Sequence, residues 1–106
     1  MAALASIVIG GKYRSAADRR RAAQLTDGEI LRLERDPKNP ADPNAVKVVT
    51  FDGHHIGFIP RTLAAELAPK LDAGVGFCCS VKGNPRLYDY PPISIEELES
   101  TNGKAV

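Results

Sequence analysis

One stretch of the chain, residues 45–59 (AVKVVTFDGHHIGFI), restricts the possible folds more than any other. It opens with a β-branched run, and β-branched residues favour extended strands. The Asp52-Gly53 pair that follows is typical of a tight hairpin turn, and the apolar run after it returns antiparallel to the first. The stretch therefore predicts a β-hairpin near the centre of the chain.

Short strand patterns occupy much of the remaining sequence. Three further strands are predicted from β-branched or alternating runs, at residues 5–10, 29–35 and 75–83. Residues 87–98 (LYDYPPISIEEL) predict a last strand pair around Pro91 and Pro92. Most of the sheet is therefore expected to consist of short strands.

Two helices interrupt these strands. Residues 15–25 (SAADRRRAAQL) predict a helix with Ser15 as its N-cap, and residues 61–74 predict a second helix that stops at Gly74. The buried stripe of the second helix is predicted from leucines four residues apart, Leu63, Leu67 and Leu71. Pro69 lies inside this helix, so we expect a kink or two short turns there.

The order of these elements suits a mainly β (α+β) architecture, either a small barrel or a strongly bent sheet, rather than a parallel sheet. With 106 residues, the chain has the size of one domain. We expect the domain to cover residues 1–90 and to be followed by a partly flexible C-terminal extension, residues 91–106, that ends in a frayed tail at residues 100–106.

Charge is unevenly distributed along the chain, although the formal net charge is only +1. Five bases and one acid, Asp18, lie between residues 12 and 21; the bases are Lys12, Arg14, Arg19, Arg20 and Arg21. Such a cluster predicts an anion-binding face, and the alternative is a helix that the same charges merely solvate.

The cysteine count and the hydropathy indicate an intracellular protein. The two cysteines, Cys78 and Cys79, are adjacent on a predicted strand and point to opposite faces, so they do not pair with each other. Unpaired thiols favour a reducing compartment. No apolar run approaches the length of a membrane span. We therefore expect a cytoplasmic protein that is not exported and has no membrane partner.

The loop before the hairpin, residues 35–44, contains oxygen ligands that superficially resemble a calcium site. It lacks the glycine and the closing glutamate of an EF-hand, so stiff turns capped by its Asp and Asn side chains are favoured. His54-His55 and Cys78-Cys79 are adjacent pairs that alternate between strand faces, which leaves too few ligands for zinc. We expect neither a metal nor a cofactor.

Catalytic motifs are scarce in this sequence. It has no nucleophile elbow, P-loop or HExxH motif. A metal-dependent nuclease is an alternative that rests only on three aspartates in neighbouring turns, Asp36, Asp42 and Asp52. We therefore expect a protein without enzymatic activity.

The ingredients of a nucleic-acid site are present. Tyr13 lies between two bases, Lys12 and Arg14, directly after a Gly-Gly bend, and Arg61 opens the second helix. Further candidates for base stacking are Tyr88, Tyr90 and Phe58. For Phe58 the strand pattern favours a place in the core instead.

The block LRLERDPKNPADPNAVKVVTFDGHHIGFIPRTLAAELAPKLDAG, together with the preceding IGGKYR, resembles the HIRAN domain family over residues 5–82. The resemblance implies a modified OB-like small β-barrel of about six strands with two inserted helices. It also implies a non-catalytic DNA-binding module that recognises single-stranded or frayed 3′ ends. Such a module would act by targeting in DNA repair or processing, and its expected partner is a helicase or nuclease on another chain.

Carried over by position, the resemblance places the DNA-binding residues at Lys12, Tyr13, Arg14, Asp42 and Arg61. In that arrangement the Asp42 carboxylate accepts a hydrogen bond from a terminal hydroxyl and rejects an internal phosphodiester. The residue before Asp42 is commonly tyrosine in the family but is Ala41 here. This departure leaves a second hypothesis open, a protein-interaction module that has lost the pocket.

Overall fold

The computed structural model describes residues 3–98, and within this range the chain forms six strands, two α-helices and two 3₁₀ turns. The strands are β1 (Leu4–Ile7), β2 (Ile30–Arg35), β3 (Val46–Thr50), β4 (His55–Phe58), β5 (Phe77–Val81) and β6 (Pro92–Glu97). The helices are α1 (Ala16–Ala22) and α2 (Arg61–Asp72), and the 3₁₀ turns are Gly11–Tyr13 and Pro85–Leu87.

All six strands belong to one antiparallel sheet in the order β1-β6-β5-β2-β3-β4. The sheet curls so that its two ends meet: Ile9, just after β1, bridges Phe58 at the end of β4. The two backbone N–O distances of this bridge are 2.9 and 2.8 Å. The predicted mainly β, OB-like architecture with two inserted helices is confirmed.

Gly57 permits the approach of these two chain segments. A Cβ atom at this position would lie 2.5 Å from the backbone oxygen of Ile9 and 2.5 Å from a methyl carbon of Val8. Contacts that short are not tolerated, so the closing bridge requires glycine here.

The core fills the inside of the curled sheet with aliphatic side chains. Its largest fully buried members come from five strands or segments and are Leu25, Ile93, Ile95, Val8, Val46, Val48 and Val81. From α2, Leu67 is buried while Leu63 and Leu71 pack against the core from its edge. The predicted leucine stripe of this helix is therefore confirmed.

Both predicted helices are present, with one difference. The Ser15 side chain accepts a hydrogen bond from the Asp18 backbone N–H at 3.1 Å, as expected of an N-cap. The α2 helix, in contrast, is not divided at Pro69 but runs uninterrupted to Asp72. Pro69 removes only its own N–H from the helix, which continues beyond it, since the Ala73 N–H donates to the Pro69 carbonyl at 3.0 Å.

The C-terminal part of the sheet differs from expectation. A single strand, β6, follows the second 3₁₀ turn, rather than the predicted strand pair. It pairs with β1 on one side and β5 on the other. The expected domain boundary at residue 90 is therefore misplaced, because it would remove a strand from the middle of the sheet. The predicted tail at residues 100–106 lies outside the described residues.

Within residues 3–98, no helix is both long enough and apolar enough to cross a lipid bilayer.

Candidate nucleic-acid interface

A groove of about 970 Å³ lies between the first 3₁₀ turn, α1 and the loop that leads into β6. Its polar lining consists of three cations and one carboxylate, Lys12, Arg19, Arg86 and Asp89. All three tyrosines of the chain, Tyr13, Tyr88 and Tyr90, line the same groove. The groove thus combines aromatic rings with an excess of positive charge.

The Gly10-Gly11 bend places Lys12 and Tyr13 at this groove. Gly10 has a φ of +75°, which favours glycine, and a Cβ on Gly11 would lie 3.2 Å from the Ile56 carbonyl oxygen. The Tyr13 backbone N–H then donates to the Gly10 carbonyl at 3.1 Å, which completes the turn. Tyr13 is 77% exposed, and the Lys12 Nζ atom lies 5.2 Å from the centre of its ring.

Tyr88 and Tyr90 reach the groove from the opposite end of the sequence. The second 3₁₀ turn, just before them, is fixed by the buried Pro85 and by the Asn84 side chain, which accepts from the Arg86 N–H at 3.1 Å. Tyr88 and Tyr90 remain 58% and 52% exposed. The two predicted stacking candidates thus lie in one groove with Tyr13, 75 residues or more away in the chain.

Arg14 has a different environment from its neighbours. Its guanidinium donates to the His55 carbonyl and to the Asp18 carboxylate, both at 2.9 Å. Asp18 is also 3.1 Å from the His54 Nδ1 atom. Burial opposes ionisation of Asp18, but the hydrogen bonds from His54 and Arg14 outweigh it and lower the pKa of this carboxyl. Arg14 is thus tied to α1 and β4 and does not line the groove.

Asp42 and Arg61 form a second cluster. The Arg61 Nε atom lies 3.7 Å from Asp42 Oδ2, and the Arg61 guanidinium donates to the Ala41 carbonyl at 3.3 Å. The Asp42 side chain is 16% exposed, whereas that of Arg61 is 76% exposed. Neither residue lines the groove that contains Lys12 and Tyr13. Lys12 and Tyr13 therefore form one group at the groove, and Asp42 and Arg61 form another.

The proline-rich loop holds Asp42 in place through Asx turns. The Asn39 side-chain oxygen accepts from the backbone N–H groups of Ala41 and Asp42, at 2.9 and 3.2 Å. Asp42 Oδ1 in turn accepts from the Asn44 N–H at 2.9 Å. The prediction that these side chains cap their own turns is confirmed.

The side chains considered for zinc are separated by strand geometry. Cys78 is exposed, whereas Cys79 is buried, and burial raises the pKa of the Cys79 thiol to about 12. His54 contacts Asp18, and the His55 Nε2 atom lies 2.9 Å from the Gly57 carbonyl. Burial and the positive charge of Arg14 lower the pKa of His55. In residues 3–98 no three His, Cys, Asp or Glu side chains gather as a metal site would require.

The aspartates considered for a nuclease face different partners. Asp52 accepts from Arg21 at 3.1 Å, Asp42 lies beside Arg61, and Asp36 accepts from Asn39 at 3.1 Å. Hydrogen bonds from Thr50 and Arg21 lower the pKa of Asp52 to about 2. Each carboxylate thus has its own partner within the described residues.

Phe58 is not a core residue, contrary to expectation. It is only half-buried and stays outside the buried cluster. Its ring meets that of His55 edge-on, with centroids 4.7 Å apart, and contacts the position of Gly10. Ile56 is the buried side chain of this strand, whereas Phe58 packs beside the Gly10-Gly11 bend.

Two groove residues were not among the sequence candidates for the site. Arg19 belongs to the basic cluster of residues 12–21, which predicted a basic face without indicating which side chains form it. Arg86 carries no signal beyond its place after an Asn-Pro turn. Only the fold of the loop before β6 brings it to the groove.

Comparison with known proteins places this chain in a family. The HIRAN domain model matches residues 3–94. A Fanconi-associated nuclease 1 homolog from Oryza sativa subsp. japonica is 37% identical over 79 residues, 69% of this chain but 8% of that protein. The human helicase-like transcription factor is 40% identical over 48 residues, which are 45% of this chain and 5% of that protein. The chain thus spans a small fraction of the curated relatives it matches.

Solved structures agree with this match. The crystal structure of the HIRAN domain of human HLTF aligns with a TM-score of 0.73 and 28% identity, covering 98% of this chain and 82% of that one. The NMR structure of the HLTF HIRAN domain in its DNA-bound conformation aligns with a TM-score of 0.67 and 26% identity, covering 98% of this chain and 81% of that one. The chain belongs to the HIRAN domain family.

Proposed function

We propose that this HIRAN domain is a non-catalytic module that binds DNA and prefers single-stranded or frayed 3′ ends. The observation that carries the proposal is the groove that three exposed tyrosines line together with Lys12. A relative of the same fold is described in a DNA-bound conformation, which supports the class of ligand.

Exposed tyrosines in a basic groove suit unpaired nucleobases. Each base presents an aromatic face, and stacking of one base on one aromatic side chain contributes about 1–3 kcal/mol. Duplex DNA hides these faces inside the stack, whereas a single strand or a frayed end offers them. The ring of Tyr13 is 77% exposed and already has the Lys12 ammonium beside it, so one residue pair can contact a base and a phosphate.

The Asp42–Arg61 cluster supplies the preference for an end. An ionised carboxylate accepts a hydrogen bond from a 3′-hydroxyl, whereas a phosphate at that place would bring two negative charges together. Arg61, 76% exposed, is available for the phosphate of the last linkage. The Asx turns around Asp42 hold the carboxylate in advance, which reduces the entropy lost on binding.

In this proposal the domain contributes targeting rather than chemistry. Its relatives include proteins named as a nuclease and as a helicase-like factor, and the matched region is under a tenth of each. The domain would direct such an activity, on its own chain or another, to DNA ends during repair or processing.

Fluorescence anisotropy with labelled single-stranded DNA tests the proposal. We expect binding that weakens steeply as salt increases, because phosphate contacts release counterions, and tighter binding to a free 3′-hydroxyl than to a 3′-phosphate. Equal affinity for the two ends would contradict end recognition. Cleavage of the oligonucleotide that requires magnesium and stops with chelator would contradict a non-catalytic role.

A protein-interaction module is the second candidate, and one observation favours it. Ala41 is exposed and presents only a methyl group beside Asp42, where the family commonly has tyrosine. If the folded protein does not bind DNA even at low salt, this candidate replaces the first.

A further inference from the structure

The basic cluster of residues 12–21 divides into two kinds of side chain. Arg14 and Arg21 are partly buried and have structural partners: Arg14 binds Asp18, and Arg21 binds Glu29 and Asp52. The other three, Lys12, Arg19 and Arg20, make no ion pair with any residue of the range 3–98. Their positive charge is therefore available to a ligand.

Of these available cations, Lys12 and Arg19 line the groove, and Arg20 does not. Arg86 joins them from the second 3₁₀ turn, and its side chain likewise makes no ion pair within the described chain. The groove thus has guanidinium groups from two different elements, α1 and the loop before β6, around its three tyrosines. One carboxylate, Asp89, also lines it, so cations outnumber acids three to one.

We infer that Arg19 and Arg86 form a second DNA subsite at this groove, in addition to the Asp42–Arg61 cluster. There they hold phosphates of the nucleotides on the 5′ side of the end. The inference rests on the proposed function and extends it, since neither arginine takes part in reading the end. Guanidinium groups suit this role because they donate two parallel hydrogen bonds to a phosphate.

The size and composition of the groove favour a strand of several nucleotides over a single small ligand. Its volume of about 970 Å³ reaches the upper end of the usual range for small-molecule sites, about 300–1,000 Å³. OB-type folds hold about 4–16 nucleotides of single-stranded nucleic acid. The aromatic faces and cations of one groove match the bases and phosphates of such a strand, whereas an acidic peptide would use the cations alone.

The test compares the double variant Arg19→Ala/Arg86→Ala with Arg20→Ala. Arg20 is a matched control, because it is an exposed arginine next to Arg19 that does not line the groove. Affinities are measured by anisotropy for 3′-hydroxyl DNA of about ten nucleotides and of about two nucleotides, lengths on either side of the smallest OB-fold footprint.

For the longer DNA we expect the double variant to bind about tenfold more weakly or worse, and its salt slope to be smaller by about 0.7 for each arginine removed. For the shorter DNA the double variant should bind like the wild type, and Arg20→Ala should change little with either. If the double variant binds the longer DNA as tightly as the wild type, or if Arg20→Ala loses as much affinity, the second subsite is overturned.

Each protein is also measured with 3′-phosphate DNA, which separates this inference from the proposed end recognition. If the double variant binds the longer DNA like the wild type while both prefer a free 3′-hydroxyl, the subsite is wrong and end recognition stands. If the wild type does not distinguish the two ends but the double variant is weaker, end recognition is wrong and the subsite stands. A wild-type protein that binds neither DNA contradicts both.

Discussion

Tyr13 is the single residue on which binding of a base depends most in this account. Its ring is 77% exposed and lies at the groove, so Tyr13→Ala should weaken binding of single-stranded DNA by about 1–3 kcal/mol. The free energy of unfolding should change by less than about 0.5 kcal/mol, since no buried contact is lost. Anisotropy and calorimetry measure the two effects.

Phe51 provides the matched control for Tyr13. It is 76% exposed, beside the hairpin turn between β3 and β4, and it does not line the groove. Phe51→Ala should therefore leave DNA affinity unchanged. A loss as large as that of Tyr13→Ala would show that exposed aromatic residues bind DNA without regard to the groove, against the account.

Single residues also show how far the sequence could predict the site. The Gly10-Gly11 bend indicated that Tyr13 would leave the sheet, because two glycines permit the tight turn that exposes it. The contacts of Arg14 were not predictable in the same way. They depend on the His55 carbonyl, 41 residues away, which only the packing of α1 on β4 brings near.

At the scale of elements, α1 is tied to the sheet by Arg21, which binds Glu29 before β2 and Asp52 in the hairpin turn. Hydrogen bonds from Thr50 and Arg21 lower the pKa of Asp52 to about 2, below its ordinary value near 4. A carboxyl whose pKa is lower in the folded state stabilises the fold above its unfolded pKa, and this contribution is lost as the pH falls.

We therefore predict that the free energy of unfolding decreases as the pH falls from about 4 to about 2, and that part of this decrease disappears in Asp52→Asn. Urea unfolding at a series of pH values measures it. Because Asp52 is exposed, the contribution should be small. A variant whose pH dependence matches that of the wild type would show that Asp52 does not contribute.

Closure of the sheet depends on Gly57 in β4. A Cβ there would meet the Ile9 backbone at 2.5 Å, so Gly57→Ala should destabilise the fold by about 1–3 kcal/mol or more, because the bridge must open or shift. Denaturant unfolding measures this loss.

The control for Gly57 is Gly28→Ala, a position with a positive φ but no atom within 4 Å of an added Cβ. This variant should be destabilised only by the conformational cost of a left-handed residue, about 1 kcal/mol. Equal losses in the two variants would mean that the close approach of β4 to Ile9 does not limit the fold.

Local patterns predicted most elements but not the partners of the strands. The hairpin of β3 and β4 followed from Asp52-Gly53 and the runs on either side, because neighbouring strands joined by a tight turn pair with each other. The pairing of β6 with β1 joins residues about 85–91 positions apart. No local signal encodes such a pairing, so the sequence predicts an extension over residues 91–106 although β6 (Pro92–Glu97) lies within it.

At the scale of the whole molecule, a net charge of +1 hides an asymmetric surface. Three of the cations line one groove, while other arginines form ion pairs within the fold, such as Arg35 with Asp72. Overall charge therefore predicts weak general attraction to DNA, and binding should depend on the few cations of the two clusters.

Salt dependence expresses this prediction as a number. If about four phosphates are contacted, log K should fall with log salt concentration at a slope of about −3, since each contact to a single strand contributes about −0.7. Anisotropy titrations at several salt concentrations give the slope. A slope near zero would contradict an interface built on phosphate contacts.

The most direct test of end recognition changes one charge, with Asp42→Asn. Asparagine keeps the oxygen that caps the Asn44 N–H, so the loop should remain folded, but it no longer repels a phosphate. Asp36→Asn, in the same loop, is the control. The measurement is the ratio of affinities for DNA with a 3′-hydroxyl and with a 3′-phosphate.

We predict a ratio of about ten or more for the wild type and for Asp36→Asn, because close like charges are costly, and a ratio near one for Asp42→Asn. An Asp42→Asn protein that still prefers the free 3′-hydroxyl by the wild-type ratio would contradict the role given to this carboxylate.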